Sequence, residues 1–394
     1  MAGDHYRFHK NLFRMCRPVL RAWFNSRYKM SYLEVPDLPA HFLLISNHVT
    51  NADPFLIAAT LGRHVYFVAT EHLFRLGFRS RLIRFLQDPI PIAKGGSTSG
   101  AVLEILRRLR EGKSICLFAE GNCTWDGRAI GIPPATGKMV RTSRAPLVTG
   151  RIIGGYFAHP RWAYTDRKGP QRFEVVHVYQ PEELAAMKPE EINRLILADI
   201  GEDAYERQLA DPRPYPGKGL CRGLERTLLA CPKCHRIATI RSTDDSFYCD
   251  CGLKGQYDTY GMLSGEGFAF TTIREWEDWQ RAFFSALPSP SGEKETVYAS
   301  DTDMVLYQVA GHRAAESARG TLSGTDVSLK LGEHTFPFRQ MADLAVRLHG
   351  TVTFSMKDGA YYELKKADKT DYSGRIYKCL FERFAHEPEE AKRL

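Results

Sequence analysis

The chain has 394 residues, 43% of them hydrophobic and 25% charged. That balance excludes a disordered chain or a polytopic membrane protein, and the length is enough for roughly two or three domains. The formal net charge is +8, and most of it falls in residues 1–30, where Arg7, Lys10, Arg14, Arg17, Arg21, Arg27 and Lys29 face a single acid, Asp4.

The N-terminal segment, 1–35, reads as a basic amphipathic helix: Leu12, Met15, Val19, Leu20, Trp23 and Phe24 recur at helical spacing, with Arg14, Arg17 and Arg21 off that stripe. Pro18 predicts a kink or a restart there. Such a stripe serves equally to dock on the protein's own core or to lie on a membrane. A second basic cluster, HLFRLGFRSRLIRF from His72 to Phe85, places Arg75, Arg79, Arg81 and Arg84 among large apolar groups. Cations interleaved with such groups suit an anionic lipid surface, with nucleic acid as the competing partner. No apolar run approaches the roughly 18 to 20 residues of a membrane span, and the start has no signal-peptide core. The expected location is therefore cytoplasmic, peripheral on the inner face of the membrane.

Residues 36–215 alternate buried strands (HFLLIS, HVYFVAT, SICLFAE, APLVTGRII) with helical stretches (PFLIAATLG, SGAVLEILRRLREG), which predicts an α/β layer with a mostly parallel sheet. A helical, acidic stretch from Pro181 to Leu209 ends at DPRPYPGKG, where a boundary belongs. In SNHVTNADPF the first strand stops just before His48, and Asp53 precedes Pro54, so Asp53 reads as the cap of the next helix. The same spacing lets its carboxylate accept the imidazole Nδ1 proton while Nε2 faces a cleft, as a general base requires. A second strand ends at Glu120-Gly121-Asn122, at the sheet edge where open α/β folds bind ligands.

Four blocks in order, NHVTNAD, PIPIAKGG, LFAEGNCT and APLVTG, resemble the four motifs of the glycerolipid acyltransferases, the family of lysophosphatidic acid acyltransferases, over about residues 40–180. The resemblance implies transfer of a fatty acyl group from acyl-CoA or acyl carrier protein to the hydroxyl of a lysophospholipid or related phosphoglycerol acceptor, in phospholipid synthesis. His48 would take the hydroxyl proton and Asp53 would orient the imidazole. The acceptor oxygen is itself the nucleophile, and no G-x-S-x-G elbow occurs. Lys94 stands where relatives place a phosphate-binding Arg, and its alternative is an ordinary exposed lysine. Glu120, Gly121 and Asn122 match the third block, with Glu120 either holding acceptor hydroxyls or bracing the loop. Ala119 replaces the usual Pro. Cys123 occupies a position where relatives often carry Arg, which leaves Arg128 or Arg151 to meet the phosphate. The same departure keeps open a non-catalytic, lipid-binding relative.

In CPKCHRIATIRSTDDSFYCDCG, Cys231, Cys234, Cys249 and Cys251 form two close thiol pairs fourteen residues apart, the spacing of a structural Zn2+ site, with His235 in reserve. Residues 220–290 therefore read as a zinc ribbon plus a short helix bearing Trp276, Trp279, Phe283 and Phe284. The linker LPSPSGE, from Leu287 to Glu293, precedes residues 294–394, predicted to be short strands closed by the helix GRIYKCLFERFA. Loosely, this tail resembles the pleckstrin-homology-type barrel of a bacterial subset of the acyltransferases. A zinc ribbon on nucleic acid is the contrasting reading, but the ribbon is not strongly basic, and no nucleic-acid partner is expected.

Overall fold

The computed structural model describes residues 5–385 apart from 34, 36, 71–73, 75–77, 93–98, 291–293, 312, 348–349 and 369–371. Arg75, Lys94 and the end of the 287–293 linker lie outside the described residues. The chain forms two compact units: Met1–Ala93, Ser97–Arg161 and Thr165–Gly217 make the first, and Lys94–Gly96, Trp162–Tyr164 and Lys218–Leu394 the second.

In the first unit the order is α1 (His5–Arg27), β1 (Lys29–Tyr32), β2 (Leu43–Ser46), α2 (Asp53–Leu61), β3 (Tyr66–Thr70), α3 (Phe78–Gln87), β4 (Ile90–Ile92), α4 (Ser99–Arg110), β5 (Ile115–Leu117), α5 (Ala135–Ser143), β6 (Leu147–Ile153), α6 (Gly155–Ala158), β7 (Pro170–Tyr179), α7 (Pro181–Ala186), α8 (Pro189–Ile200) and α9 (Ala204–Ala210). The seven strands form one sheet, β1-β7-β6-β2-β5-β3-β4. All neighbours are parallel except β6 and β7. The mostly parallel sheet expected from continuous apolar strands is thus present, because both of its faces are covered and alternation is unnecessary. Leu43, Ile45, Ile115 and Leu147 are fully buried beneath Ile105, Leu109, Val140, Ile192 and Ile196 from α4, α5 and α8. Each such side chain contributes roughly 1.5–3 kcal/mol on burial. Helices α5 and α8 approach closely at Gly137, where a Cβ would stand 2.0 Å from the Pro189 carbonyl oxygen.

Helix α1 runs uninterrupted through Pro18, so the restart expected there does not occur. Phe13 and Phe24 are buried on either side of the proline, and Arg17 Nε donates to the Ala59 carbonyl at 3.1 Å, so tertiary contacts offset the lost helical bond. The apolar stripe divides into two faces. His9, Phe13 and Phe24 point inward, whereas Phe8, Met15, Val19 and Trp23 form an exposed row, Met15 and Val19 at 75% and 72%.

The second unit opens with a small antiparallel sheet, β8 (Arg241–Ser242), β9 (Phe247–Cys249), β10 (Leu253–Tyr257) and β11 (Leu263–Glu266). Helix α10 (Ile273–Ser285) follows, started by a capping box in which Thr272 Oγ1 accepts from Glu275 N while Glu275 accepts from Thr272 N. Next come β12 (Val297–Ala310), β13 (Arg313–Thr325), β14 (Ser328–Leu331), β15 (His334–Pro337), β16 (Met341–Arg347), β17 (Thr351–Met356), β18 (Tyr361–Lys366) and α11 (Gly374–Phe384). These strands form a seven-stranded sheet, β15-β14-β13-β12-β18-β17-β16, antiparallel throughout. Ile376, Tyr377, Leu380, Phe381 and Phe384 put the apolar face of α11 into its core. Both predicted helices, α10 and α11, are present. Among the described residues no helix is long and apolar enough to cross a membrane.

Candidate active site

Strands β2 and β5 are parallel neighbours in which Ile45 pairs with Leu117, so His48 and Glu120 each stand three residues beyond the pairing, past the same C-terminal edge. That edge of an open α/β sheet is where ligands bind. The two loops are tied together: Thr124 N donates to the His48 carbonyl at 3.2 Å, and His48 N donates to Glu120 Oε1 at 2.7 Å. Buried Asn47 locks the first loop to β6, donating to the Ile152 carbonyl at 3.0 Å and accepting from Ile152 N at 2.7 Å.

Asp53 does not cap its helix. α2 begins at Asp53 itself, after Ala52, and no side chain caps it. The carboxylate turns back instead: Oδ2 accepts from His48 Nδ1 at 2.8 Å, Val49 N at 2.6 Å and Thr50 N at 2.9 Å, while Oδ1 accepts from Thr50 Oγ1 at 2.8 Å. Four donors from one tight turn outcompete the helix N–H groups for the same oxygens. The histidine is held in one tautomer with its side chain 19% exposed, and its ring stacks on Phe118 at 4.3 Å between centroids. Burial disfavours the imidazolium, but the neighbouring Cys123 side chain and the bond to Asp53 outweigh it and push the His48 pKa up to about 10.

Asp53→Asn would set an NH2 group against these donors. We expect it to cost about 2–3 kcal/mol, the scale of an unsatisfied buried donor, measured by denaturant unfolding.

Glu120 uses both oxygens on backbone, Oε1 on His48 N and Oε2 on Ile130 N. Gly121 follows with φ 71°, a left-handed turn that lets the chain double back beside β2, and Asn122 continues it. Burial pushes the Glu120 carboxyl up to about 7, against its two backbone donors. The sign follows directly. Between its ordinary value of 4.5 and about 7 the folded chain holds a proton that the unfolded chain has released, so this group's contribution to stability falls as pH rises across that window. Thermal melts of wild type and Glu120→Gln from pH 5 to 8 should therefore differ in slope, with the variant losing that decline.

His48 and Glu120 line a cleft of about 280 Å3, open solvent included, with Asn47, Tyr156, Arg128 and Glu202. Arg128 therefore reaches the site, its guanidinium paired with Asp126 at 2.8 and 2.5 Å. Arg151 does not line the cleft. Its guanidinium donates to the Asp199 carbonyl at 2.6 and 2.9 Å and to Ala198, where the C-terminal carbonyls of α8 attract a cation. Arg161, which sequence reasoning missed, donates to the Cys123 carbonyl at 2.7 Å and lies over Trp125. Nothing in local spacing marks it, because the chain between the two passes through β6 and α6.

Residues 33–153 match the family model described as Acyltransferase. That span is an acyltransferase-family domain. It contains all four motif blocks, so the family resemblance holds there. Among solved structures, the 1-acyl-sn-glycerophosphate (LPA) acyltransferase PlsC from Thermotoga maritima is similar at 16% identity and a TM-score of 0.45, covering 54% of this chain and 85% of that one. No curated protein matches the chain.

In the second unit the four predicted cysteines meet, their sulfur atoms all within 4.8 Å of one another. Cys231 and Cys251 are 3.5 Å apart, Cys234 and Cys249 3.9 Å. A tetrahedron with Zn–S bonds of about 2.3 Å has edges of roughly 3.8 Å, so the donor set fits zinc in both chemistry and size. His235 is not in the cluster; its ring packs beside Trp279 and Phe283.

Proposed function

We propose that the protein transfers a fatty acyl group from a thioester, on CoA or acyl carrier protein, to the hydroxyl of a lysophospholipid or similar phosphoglycerol acceptor. The observation that carries this reading is the His48–Asp53 pair, buried on the Asp53 side, open on the His48 side, inside the acyltransferase-family span. His48 takes the hydroxyl proton as the oxygen attacks the thioester carbonyl, and Asp53 stabilises the imidazolium. Glu120 braces the two loops, and Arg128 supplies positive charge for the acceptor's phosphate, with Lys94 in the same role from the second block. The test is transfer of radiolabelled acyl groups from both donors to a panel of lysolipids. No transfer to any acceptor would sink the reading.

The protein acts from the membrane surface. The exposed row Phe8, Met15, Val19 and Trp23 enters the headgroup boundary while Arg7, Arg14 and Arg21 meet anionic lipid. The double substitution Met15→Glu with Val19→Glu is expected to lower cosedimentation with anionic phospholipid vesicles by about tenfold or more; unchanged sedimentation would exclude this face. In the second unit the cysteine cluster holds one structural Zn2+, and the seven-stranded sheet with its closing helix is a barrel of the pleckstrin-homology type.

A further inference from the structure

Asp53 fixes only half of the orientation of His48. A hydrogen bond to Nδ1 lies in the plane of the ring and sets where its edge points, but the ring can still tilt about that bond. The stack on Phe118 removes this freedom. The two ring planes are 18° apart with centroids 4.3 Å apart, so Phe118 covers one face of the imidazole. Phe118 is itself held. It stands one residue beyond Leu117, which pairs with Ile45 of β2, its carbonyl accepts from Gly121 N at 3.1 Å, and only 9% of it is exposed. Phe67 of β3, likewise buried, lies parallel to it within 11° at 6.4 Å between centroids. In the sheet β5 lies between β2 and β3, so three neighbouring strands contribute three near-parallel rings, with His48 at one end.

We propose that Phe118 is a positioning residue for acyl transfer: its ring fixes the plane of the His48 imidazole, and its π face stabilises the positive charge that His48 takes on with the acceptor's proton. This rests on the acyl-transfer reading above and keeps direct attack by the acceptor oxygen. As that oxygen bonds to the thioester carbonyl, the hydroxyl proton moves to Nε2, and it passes from there to the donor's sulfur as the S–C bond breaks. Between the two transfers the ring is an imidazolium. A cation within about 6 Å of an aromatic centroid is attracted by the ring quadrupole, most strongly where water is excluded. Leucine would fill much of the same space but has neither a π face nor a flat surface to hold a plane. The ionisable groups around the imidazole come from several elements: Asp53 at the start of α2 on Nδ1, Glu120 and Cys123 from the loop after β5, and Arg128, Tyr156 and Glu202 along the cleft. A decisive test therefore changes the π face of Phe118 and none of these.

Full-length protein is made with phenylalanine, para-fluorophenylalanine or trifluorophenylalanine at position 118, because fluorine withdraws charge from the ring face and leaves its shape. With isotope-labelled histidine, the His48 signals, assigned by their loss in His48→Ala, are followed by NMR from pH 6 to 10.5. Expected is a stepwise fall of the His48 pKa along the series, by about half a unit to one unit for the trifluoro ring. Phe118→Leu and Phe118→Tyr are then compared with wild type in turnover at saturating donor and acceptor, divided by the fraction of neutral His48 from the same titration. Phe118→Leu should fall about tenfold with the acceptor KM within about twofold, whereas Phe118→Tyr should keep wild-type turnover within about twofold. The fluorinated proteins keep the ring, so they decide the question even where Phe118→Leu does not fold. A His48 pKa that does not move along the series, or wild-type turnover per neutral imidazole in Phe118→Leu, would overturn the role of Phe118 while leaving acyl transfer standing. No transfer by wild type would overturn the acyl-transfer reading and the positioning role together.

Discussion

Replacing His48 with alanine is expected to lower acyl transfer by about 10³-fold, the scale of a general base, with the chain still folded. Stability should survive because the loop is held by Asn47 on β6 and by Asp53 on Val49 N and Thr50 N, none of which needs the ring. The pH dependence is a second readout. With its pKa pushed up to about 10, His48 carries a proton at neutral pH, so a rate that depends on its accepting form rises with pH toward that value. Cys123 is among the groups that raise that pKa against burial, so in Cys123→Ala the rising limb should move to lower pH. The charged pair also contributes stability that is fully present below 6.5, the ordinary histidine value, and is lost as pH rises through about 10. Transfer rates from pH 6 to 10 for wild type, His48→Ala and Cys123→Ala test all three. A limb unmoved by removal of Cys123 would show that the thiol does not govern the base.

The α/β layer was legible because each buried strand of the parallel sheet is a continuous apolar run closed by a turn, and because His48 and Glu120 both follow such runs. Placing them together required knowing that β2 and β5 are neighbours, which no local pattern encodes; the motif order carried that information instead. Asp53 was misread as a cap because Asp before Pro fits a helix start equally well, and only the competition between its donors decides where the carboxylate turns. Arg151 looked available because the last carbonyls of α8 lie 48 residues away in sequence. The α1 stripe merged two faces, since residues about a third of a turn apart look like one band until the inward face is known.

Cys231→Ser is expected to abolish the proposed zinc centre and loosen the second unit. One hydroxyl in place of one thiolate in a closed four-thiolate site removes both a strong ligand and part of the charge that would hold the ion. The consequence reaches the core through the backbone. Cys231 follows Ala230, whose carbonyl accepts from Trp276 Nε1 at 3.2 Å, and Trp276 is fully buried against Phe247, Phe268 and Phe270. Cys249 ends β9 and Cys231 N bonds back to the Arg236 carbonyl, so the ion would join the first knuckle to the small sheet. Without it, only a small apolar core of its own holds this segment together. Metal analysis of the wild-type protein should give one zinc per chain and of Cys231→Ser essentially none, while a strong chelator should red-shift tryptophan emission as Trp276 gains solvent. Stoichiometric zinc retained by Cys231→Ser would exclude this ligand set, and unchanged emission after full metal removal would show that the sheet and α10 hold Trp276 without it.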